Sequence, residues 1–448
     1  MGTIDHWGDR RSSTTRLQAV TRGRHVTGEV PSELSLDSLR ELQSPGGGRR
    51  GPALIAIAAM AVLVIGGIGV GLWRLTGTSV RHAVTGAVAH VAPSKPAAPP
   101  VQLKLSPADH ASGVRPDAHA KVTASGGTLR SVRVTGAGQQ LPGTLSSDGR
   151  TWTSSGVLTP GARYQVVVIA ANQSGTATQH ISSFSTLTPQ GLLAASIMPL
   201  DGETVGVGMP IVIWFDRPVT DRAAVERRLQ VQTSTGVKGS WHWFNDKEVH
   251  YRTESYWASG TQVTLHAHLA GVDAGDGIWG VRDRLVHFTI GARHVSVVST
   301  TAHKMTVTSA GKAVKVIPVS TGRDKYPTTN GIHFVLEKSQ VVTMDSATVG
   351  IPRNSPDGYH EKVLWDVRIA NSGEFVHAAP WSTGAQGNSN VSHGCVNVSV
   401  ADATWFYNFS RRGDVVQVTG SPKAPTNTLG VQDWNTSWSS WLAGSALS

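Results

Sequence analysis

Short alternating segments separated by turn residues run through most of this sequence, and they restrict it to folds built from many short strands. Apolar and polar side chains alternate over about five or six residues at a time, with Gly, Pro, Asp and Ser between the segments. The 49 glycines and 22 prolines suit such turns better than long helices. Since 448 residues exceed one ordinary domain, we expect several small, mainly β domains.

A repeat with two copies begins just after residue 100. The segments 105–109 and 197–201 both place Pro two residues after an apolar side chain and Asp two residues after the Pro. Each copy continues with alternating strands and a Gly turn. Strands and turns at this spacing predict antiparallel β-sandwiches, so we expect immunoglobulin-like modules over 101–188 and 189–291.

Tryptophan is enriched in the second module, and two uses of it are open. Exposed tryptophans stack on carbohydrate rings, whereas buried ones fill cores and interfaces. Because large aromatic residues are mostly buried, we interpret this set as packing residues. The set consists of Trp214, Trp241, Trp243, Trp257 and Trp279.

An uncharged apolar run from Ala53 to Trp73 predicts one transmembrane helix, within residues 51–75. The polar residues 1–50 are too many for the start of a cleaved signal peptide, so we interpret them as a disordered cytoplasmic tail. The Pro-rich residues 76–100 are typical of an extended linker. The predicted location is the cell membrane, with a single pass and with the domains outside the cytoplasm.

The net charge of +10 comes from Lys and Arg residues that are scattered along the chain. Nucleic-acid-binding proteins gather such residues into one patch, so we expect no nucleic-acid partner. A basic surface outside the cell attracts anionic polymers and lipid head groups without specificity. A solvated surface with no partner is the simpler interpretation.

The third segment, residues 292–420, also alternates and predicts a mostly β domain with short helices. Ser399 followed by Asp402 is typical of a capped helix start. The remaining residues 421–448 form a C-terminal extension that we expect to pack on the preceding domains. In it, the spacing predicts one helix face shared by Trp434, Trp438 and Trp441.

The single cysteine of the chain, Cys395, lies in the string Ser-His-Gly-Cys-Val-Asn that begins at Ser392. Exported proteins normally use cysteines in pairs, so an unpaired one is either a buried hydrophobe or a reactive thiol. A reactive thiol needs a base, and His377 and His393 are the nearby candidates. A zinc site from these three residues is a weak alternative, because their spacing is unusual and no second sulfur exists.

This string, with His377 fourteen residues before Ser392, resembles the signature of the YkuD-type L,D-transpeptidases of bacterial cell-wall synthesis. Residues 344–359 resemble the lid of the actinobacterial members. The segments 375–387 and 405–414 resemble the stretches that flank the nucleophile. Those enzymes also carry a membrane anchor and two immunoglobulin-like modules, so the resemblance covers most of the chain.

The resemblance implies a defined reaction. In that family the cysteine attacks the bond between the diamino acid at stem position three and the terminal D-alanine of a donor tetrapeptide. The side-chain amine of a diamino acid on a second stem then takes the acyl group, which gives a 3→3 cross-link. The implied partners are peptidoglycan stem peptides, with carbapenem β-lactams as inhibitors, and no cofactor or metal is implied.

The resemblance also implies roles for individual residues. Cys395 is the expected nucleophile and His377 the expected base, while the backbone N–H groups of Gly394 and Cys395 are expected to bind the oxyanion with help from Tyr359. The residues expected to shape the site are Ser392, His393 and Asn397. The residues expected to contact the substrate are Met344, Tyr359, Trp381, Ser382 and Asn397.

Two positions depart from the pattern of the family. Val349 stands where an aromatic lid residue is common, and Ala378 stands where a serine commonly follows the base. The second change is harmless if His377 is oriented by the backbone carbonyl of residue 378. Two other functions stay open: a cysteine carboxypeptidase or endopeptidase of peptidoglycan, and a non-catalytic wall-binding protein.

Overall fold

The computed structural model describes residues 98–448, and within them the chain is mainly β. The contacts divide these residues into two units. One is His294–Asn435, and the other combines residues 98–293 with Thr436–Ser448. Among the described residues no helix is long and apolar enough to span a bilayer. The predicted tail and the predicted anchor lie outside the described residues.

The first module is a β-sandwich of two four-stranded sheets, with strand orders β1-β2-β6-β5 and β4-β3-β7-β8. Its strands are β1 Gln102–Ser106, β2 Lys121–Ser125, β3 Gly127–Gly136, β4 Gln139–Leu141, β5 Gly143–Leu145, β6 Thr151–Ser154, β7 Arg163–Asn172 and β8 Ala177–Ser185. Burial alternates along β2 and β7, so one face of each sheet forms the core. Trp152 and Val168 are buried in that core.

The second module contains two four-stranded sheets and one two-stranded sheet, with orders β10-β12-β15-β14, β11-β18-β16-β13 and β17-β9. Its elements are β9 Gly191–Leu193, β10 Ala195–Met198, β11 Glu203–Val205, β12 Ile211–Phe215, α1 Arg222–Glu226, β13 Leu229–Thr233, β14 Gly239–Trp243, β15 Glu248–Thr253, β16 Gln262–Ala267, β17 Ile278–Gly280 and β18 Arg284–Ile290. Trp214 is half-buried, and the other four tryptophans of the predicted set are buried. The packing interpretation is therefore confirmed.

The third segment folds around two sheets, with orders β21-β20-β19-β27-β22 and β23-β24-β25-β26. Its elements are β19 His294–Ser299, β20 Lys304–Ser309, β21 Lys312–Pro318, β22 Gly331–Phe334, β23 Glu337–Asp345, a 3₁₀ turn Ser346–Val349, β24 His360–Ala370, β25 Glu374–Ala378, a 3₁₀ turn Pro380–Ser382, β26 Val396–Val398, α2 Val400–Phe409, β27 Val415–Thr419 and α3 Gln432–Asn435. Strands of both sheets and α2 contribute to one apolar core. The predicted helix start is confirmed, since the Ser399 side chain accepts from the Asp402 N–H.

The C-terminal extension does not form the single predicted helix. Thr436 and Ser437 separate α3 from a new helix, α4 Trp438–Leu442, because the Ser437 hydroxyl caps the start of α4. Trp441 is fully buried, and its indole N–H donates to the Ser240 carbonyl of the second module over 2.9 Å. The prediction of one continuous helix face is wrong.

Asp366 on β24 makes the stability of the unit His294–Asn435 depend on pH. Its side chain is 1% exposed, and burial raises the pKa of the carboxyl to about 7. The folded protein therefore keeps a proton that the unfolded chain loses near pH 4, so stability falls as pH rises from about 4 to 7 and stays lower above it.

We predict that Asp366→Asn stabilises the protein at pH 8 and has little effect at pH 4, because it removes this titration. The full linkage amounts to ~4 kcal/mol, of which we expect about half to be recovered, since the new amide must also be buried. Urea unfolding at both pH values measures it, with Asp324→Asn at an exposed carboxylate as the control. An equal effect of Asp366→Asn at both pH values contradicts the assignment.

Candidate active site

Parallel pairing of β25 with β26 brings the cysteine and the histidine together. In the register of this pair His377 lies opposite Asn397. Cys395 precedes Asn397 by two residues, and alternate residues of an extended chain share a face. Cys395, His377 and Asn397 therefore lie on the same face, and all three line one cavity.

The His377 imidazole is oriented by the backbone. Its side chain is 3% exposed, and Nδ1 lies 2.9 Å from the Ala378 carbonyl oxygen. Because a carbonyl only accepts, Nδ1 carries the hydrogen and Nε2 is the basic nitrogen. The backbone carbonyl of residue 378 therefore orients His377, as one of the two alternatives predicted. The absence of a serine hydroxyl at position 378 leaves this orientation intact.

Cys395 and His377 are both neutral at rest. Burial raises the pKa of the Cys395 thiol to about 12, and the nearby charges of Glu374 and Asp366 add to this rise. Burial also lowers the pKa of His377 to about 4. The thiol contacts the Gly373 carbonyl over 3.7 Å, a weak hydrogen bond. The resting site holds a thiol and an imidazole rather than an ion pair.

The loop before Cys395 is fixed by the Ser392 hydroxyl. It donates to the Cys395 carbonyl over 2.6 Å and accepts from the Gly394 N–H over 3.1 Å. Gly394 has φ +126°, a conformation that other residues adopt only with strain. The Gly394 N–H, one of the two expected oxyanion donors, is therefore engaged within the loop.

Two cavities meet at Cys395, and Tyr359 and His393 also line both of them. The first cavity has a volume of 280 Å³ and is lined by Met344, Pro356, Asp357, Gly358, Tyr359, Glu361, Val363, His377, Trp381, Val391, Ser392, His393, Cys395 and Asn397. The second cavity has a volume of 550 Å³ and is lined by Lys325, Tyr326, Pro327, Val349, Ile351, Tyr359, Ser372, Gly373, Glu374, His393, Cys395, Pro422 and Lys423.

Most residues that the sequence predicted for the site line the first cavity. Gly394 and Ser382 do not; Ser382 accepts a hydrogen bond from the Asn397 amide over 3.1 Å and so supports a lining residue. Val349, the departure in the lid, is 42% exposed and lines the second cavity instead. Among residues 98–448 no three His, Cys, Asp or Glu side chains are grouped to hold a metal ion.

His393 is not available as a base for the thiol. Arg323 donates to its Nε2 over 2.8 Å, and burial together with the Arg323 charge lowers the pKa of His393. Its ring lies 5.1 Å from that of Tyr326 and 5.0 Å from that of Tyr359. The sequence offered two histidines as the base for the thiol. Of these two, only His377 has a basic ring nitrogen and lies on the same face as Cys395.

An ionic cluster that the sequence did not predict holds a loop beside Cys395. This loop, residues 346–359, connects β23 to β24, and we call it the lid. Its Asp357 carboxylate accepts hydrogen bonds from Arg323, from Lys325 over 2.5 Å and from the Tyr326 hydroxyl over 3.0 Å. The backbone N–H of Arg323 in turn donates to the Ser392 carbonyl, so this one carboxylate joins the lid to the loop before Cys395.

Comparisons with known proteins point to one enzyme family. Residues 293–418 match the YkuD family, described as the L,D-transpeptidase catalytic domain, and residues 111–273 match a bacterial Ig domain. L,D-transpeptidase 2 of Mycobacterium tuberculosis is 41% identical over 77% of this chain and 85% of its own. L,D-transpeptidase 5 of that species is 36% identical over 82% of each chain. A solved L,D-transpeptidase in complex with imipenem is 36% identical over 51% of this chain and 98% of its own, with a TM-score of 0.45.

We predict that Asp357→Asn loosens the lid, because it removes the charge that pairs with Arg323 and Lys325. Hydrogen exchange of the amides in residues 350–359 should become about threefold faster or more. Asp324→Asn, an exposed carboxylate beside the same cations, is the control and should leave exchange unchanged. Equal exchange in wild type and Asp357→Asn would show that other contacts hold the lid.

Proposed function

The chain belongs to the YkuD-type L,D-transpeptidase family, and from this membership we propose that it cross-links peptidoglycan stem peptides through an acyl-enzyme on Cys395. The observation that carries the proposal is the shared cavity of the Cys395 thiol and the His377 imidazole, whose Nδ1 is held by the Ala378 carbonyl. A thiol and an oriented base in one cavity are what acyl transfer requires.

In the first half-reaction the sulfur attacks the carbonyl carbon that links the diamino acid of a donor tetrapeptide to D-alanine. His377 Nε2 takes the thiol proton as the C–S bond forms, and the carbonyl oxygen becomes an oxyanion. The imidazolium then gives this proton to the amine of D-alanine as the C–N bond breaks. A thioester on Cys395 remains, and His377 is neutral again.

In the second half-reaction the side-chain amine of a diamino acid on another stem attacks the thioester. The new C–N bond forms, the C–S bond breaks, and His377 passes the amine proton to the sulfur. The product is a 3→3 cross-link with free enzyme. Water in place of the amine would give a tripeptide, which is the carboxypeptidase alternative.

The oxyanion needs hydrogen-bond donors that the loop around Cys395 does not already use. We assign them to the Cys395 N–H and the Tyr359 hydroxyl, since the Gly394 N–H donates to Ser392. Burial raises the pKa of Tyr359 to about 12, which keeps its hydroxyl protonated and able to donate. Gly394 then acts by allowing the loop its conformation, and Asn397 and Ser382 hold the cavity wall.

The substrate contacts and the location belong to the same proposal. Met344 and Trp381 line the first cavity, where they offer apolar surface to the donor stem. The uncharged run from Ala53 to Trp73 supports a membrane anchor that leaves the site in the cell-wall space, where peptidoglycan is cross-linked. A carbapenem, whose strained ring the thiol would open, is the expected inhibitor class.

We predict that wild type gains the mass of one carbapenem and that Cys395→Ala gains none. With a tetrapeptide stem, wild type should release D-alanine and form dimer. His377→Gln should lower D-alanine release by about a hundredfold, because general base catalysis is lost. Intact mass and product analysis measure these results. A carbapenem adduct on Cys395→Ala would contradict the assignment of Cys395 as the nucleophile. Formation of tripeptide without dimer would favour the hydrolytic alternative.

We predict that alkylation of the thiol by iodoacetamide is slow at pH 6 and rises about tenfold per pH unit up to pH 9, since the thiolate forms only at high pH. Cys395 is the single cysteine, so alkylation reports on it alone. His377→Gln should show the same slope, because His377 is neutral throughout this range. A rate that is constant between pH 6 and 9 would instead reveal a thiolate–imidazolium pair.

A further inference from the structure

A buried carboxylate lies beside the nucleophile and is used by none of the steps above. Glu374 is 4% exposed and lines the second cavity together with Cys395. Its chain neighbours touch the thiol, through the Gly373 carbonyl and the Phe375 N–H. A Cβ added at Gly394 would lie 3.7 Å from Glu374 Oε1. The carboxylate is therefore next to the place where the thioester forms.

The hydrogen bonds of this carboxylate are complete on one oxygen only. Oε1 accepts from the Thr329 N–H over 2.9 Å, from the Thr329 hydroxyl over 2.8 Å and from Lys423 Nζ over 3.1 Å. Oε2 is buried and accepts no hydrogen bond from the described residues. Burying a charged oxygen without a donor is unfavourable. A purely structural role for Glu374 accounts for Oε1 but not for Oε2.

The group already bound to this carboxylate has the chemistry of an acceptor. Lys423 also lines the second cavity and places a primary ammonium on Glu374 Oε1. Burial lowers the pKa of the neighbouring His333 and keeps it neutral, so Lys423 is the cation of this cluster. The acceptor stem offers the same group, a primary ammonium at the end of an alkyl side chain.

We propose that Glu374 binds the ammonium of the acceptor diamino acid in the second cavity and takes one proton from it. This inference rests on the proposed transpeptidase function, and it separates the approach of the acceptor from that of the donor, which occupies the first cavity. Oε2 is the oxygen with capacity for this new donor, while Oε1 keeps its bonds to Thr329.

The proton transfers balance as follows. A free amine is scarce at neutral pH, because an alkylammonium has a pKa near 10. Within the cavity the bound ammonium gives one proton to the Glu374 carboxylate, which acts as a general base. The amine attacks the thioester carbon, and its second proton passes through His377 to the sulfur as the C–S bond breaks. Glu374 then releases its proton to water.

The test measures D-alanine release and dimer formation in the same reaction of the full chain with a tetrapeptide donor and a tripeptide acceptor. Over the first turnover, Glu374→Gln should release D-alanine at the wild-type rate, whereas the dimer formed per D-alanine in that time should fall about tenfold or more, because the acyl-enzyme waits or is hydrolysed. The KM for the acceptor should rise. The matched control is Glu337→Gln. This substitution removes a carboxylate that pairs with Arg368 over 3.0 Å and lines neither cavity. The ratio of dimer to D-alanine in Glu337→Gln should equal that of wild type.

A second variant, Lys423→Met, tests whether Glu374 acts by binding the acceptor or only through its ion pair with Lys423. Lys423 donates to Oε1, whereas the acceptor is assigned to Oε2, so this variant should keep or exceed the wild-type ratio of dimer to D-alanine. A loss in Lys423→Met equal to that in Glu374→Gln overturns the proposal, because the pair would then matter as a unit. An unchanged ratio in Glu374→Gln also overturns it. A wild type that releases no D-alanine would instead refute the proposed function.

Discussion

The parallel pairing of β25 with β26 is the constraint on which the site depends. Parallel strands cannot be joined by a tight turn, so residues 379–395 make a long crossover that returns Cys395 to the sheet beside His377. Val376, Val396 and Val398 are fully buried on these strands, and the apolar core holds the register. A slip of one residue would turn the cysteine or the histidine to the opposite face of the sheet.

Desolvation then determines the chemistry of what the strands bring together. The same burial that stabilises the domain makes the thiolate and the imidazolium both unfavourable, so the proton stays on sulfur until substrate arrives. Charge is arranged at the edges of this dry centre. Asp357 and its cations hold the lid on one side, and Glu374 with Lys423 lies on the other. Each carboxylate already contacts a basic side chain.

The sequence predicted the parts of the site that are local in the chain. The string around Cys395, the capped start of α2 and the strands at 262–267 and 415–418 all depend on neighbouring residues, and each is present. Contacts over long separations were not predictable. Arg323 reaches His393 from 70 residues away, and only the tertiary fold sets that distance. Glu374 carried a signal that was missed, a charged residue at the start of the strand that carries His377. The extension was mispredicted because helical spacing was weighed without the capping strength of Ser437.

The raised pKa of Cys395 also bears on how long the enzyme survives. Oxidants, like alkylating agents, react with thiolates far faster than with thiols. With one cysteine in the chain, a sulfenic acid formed on it has no second thiol in the molecule to convert it to a reversible disulfide. A thiol that stays protonated at rest is thus protected against irreversible oxidation, because the burial that raises its pKa keeps the reactive thiolate scarce.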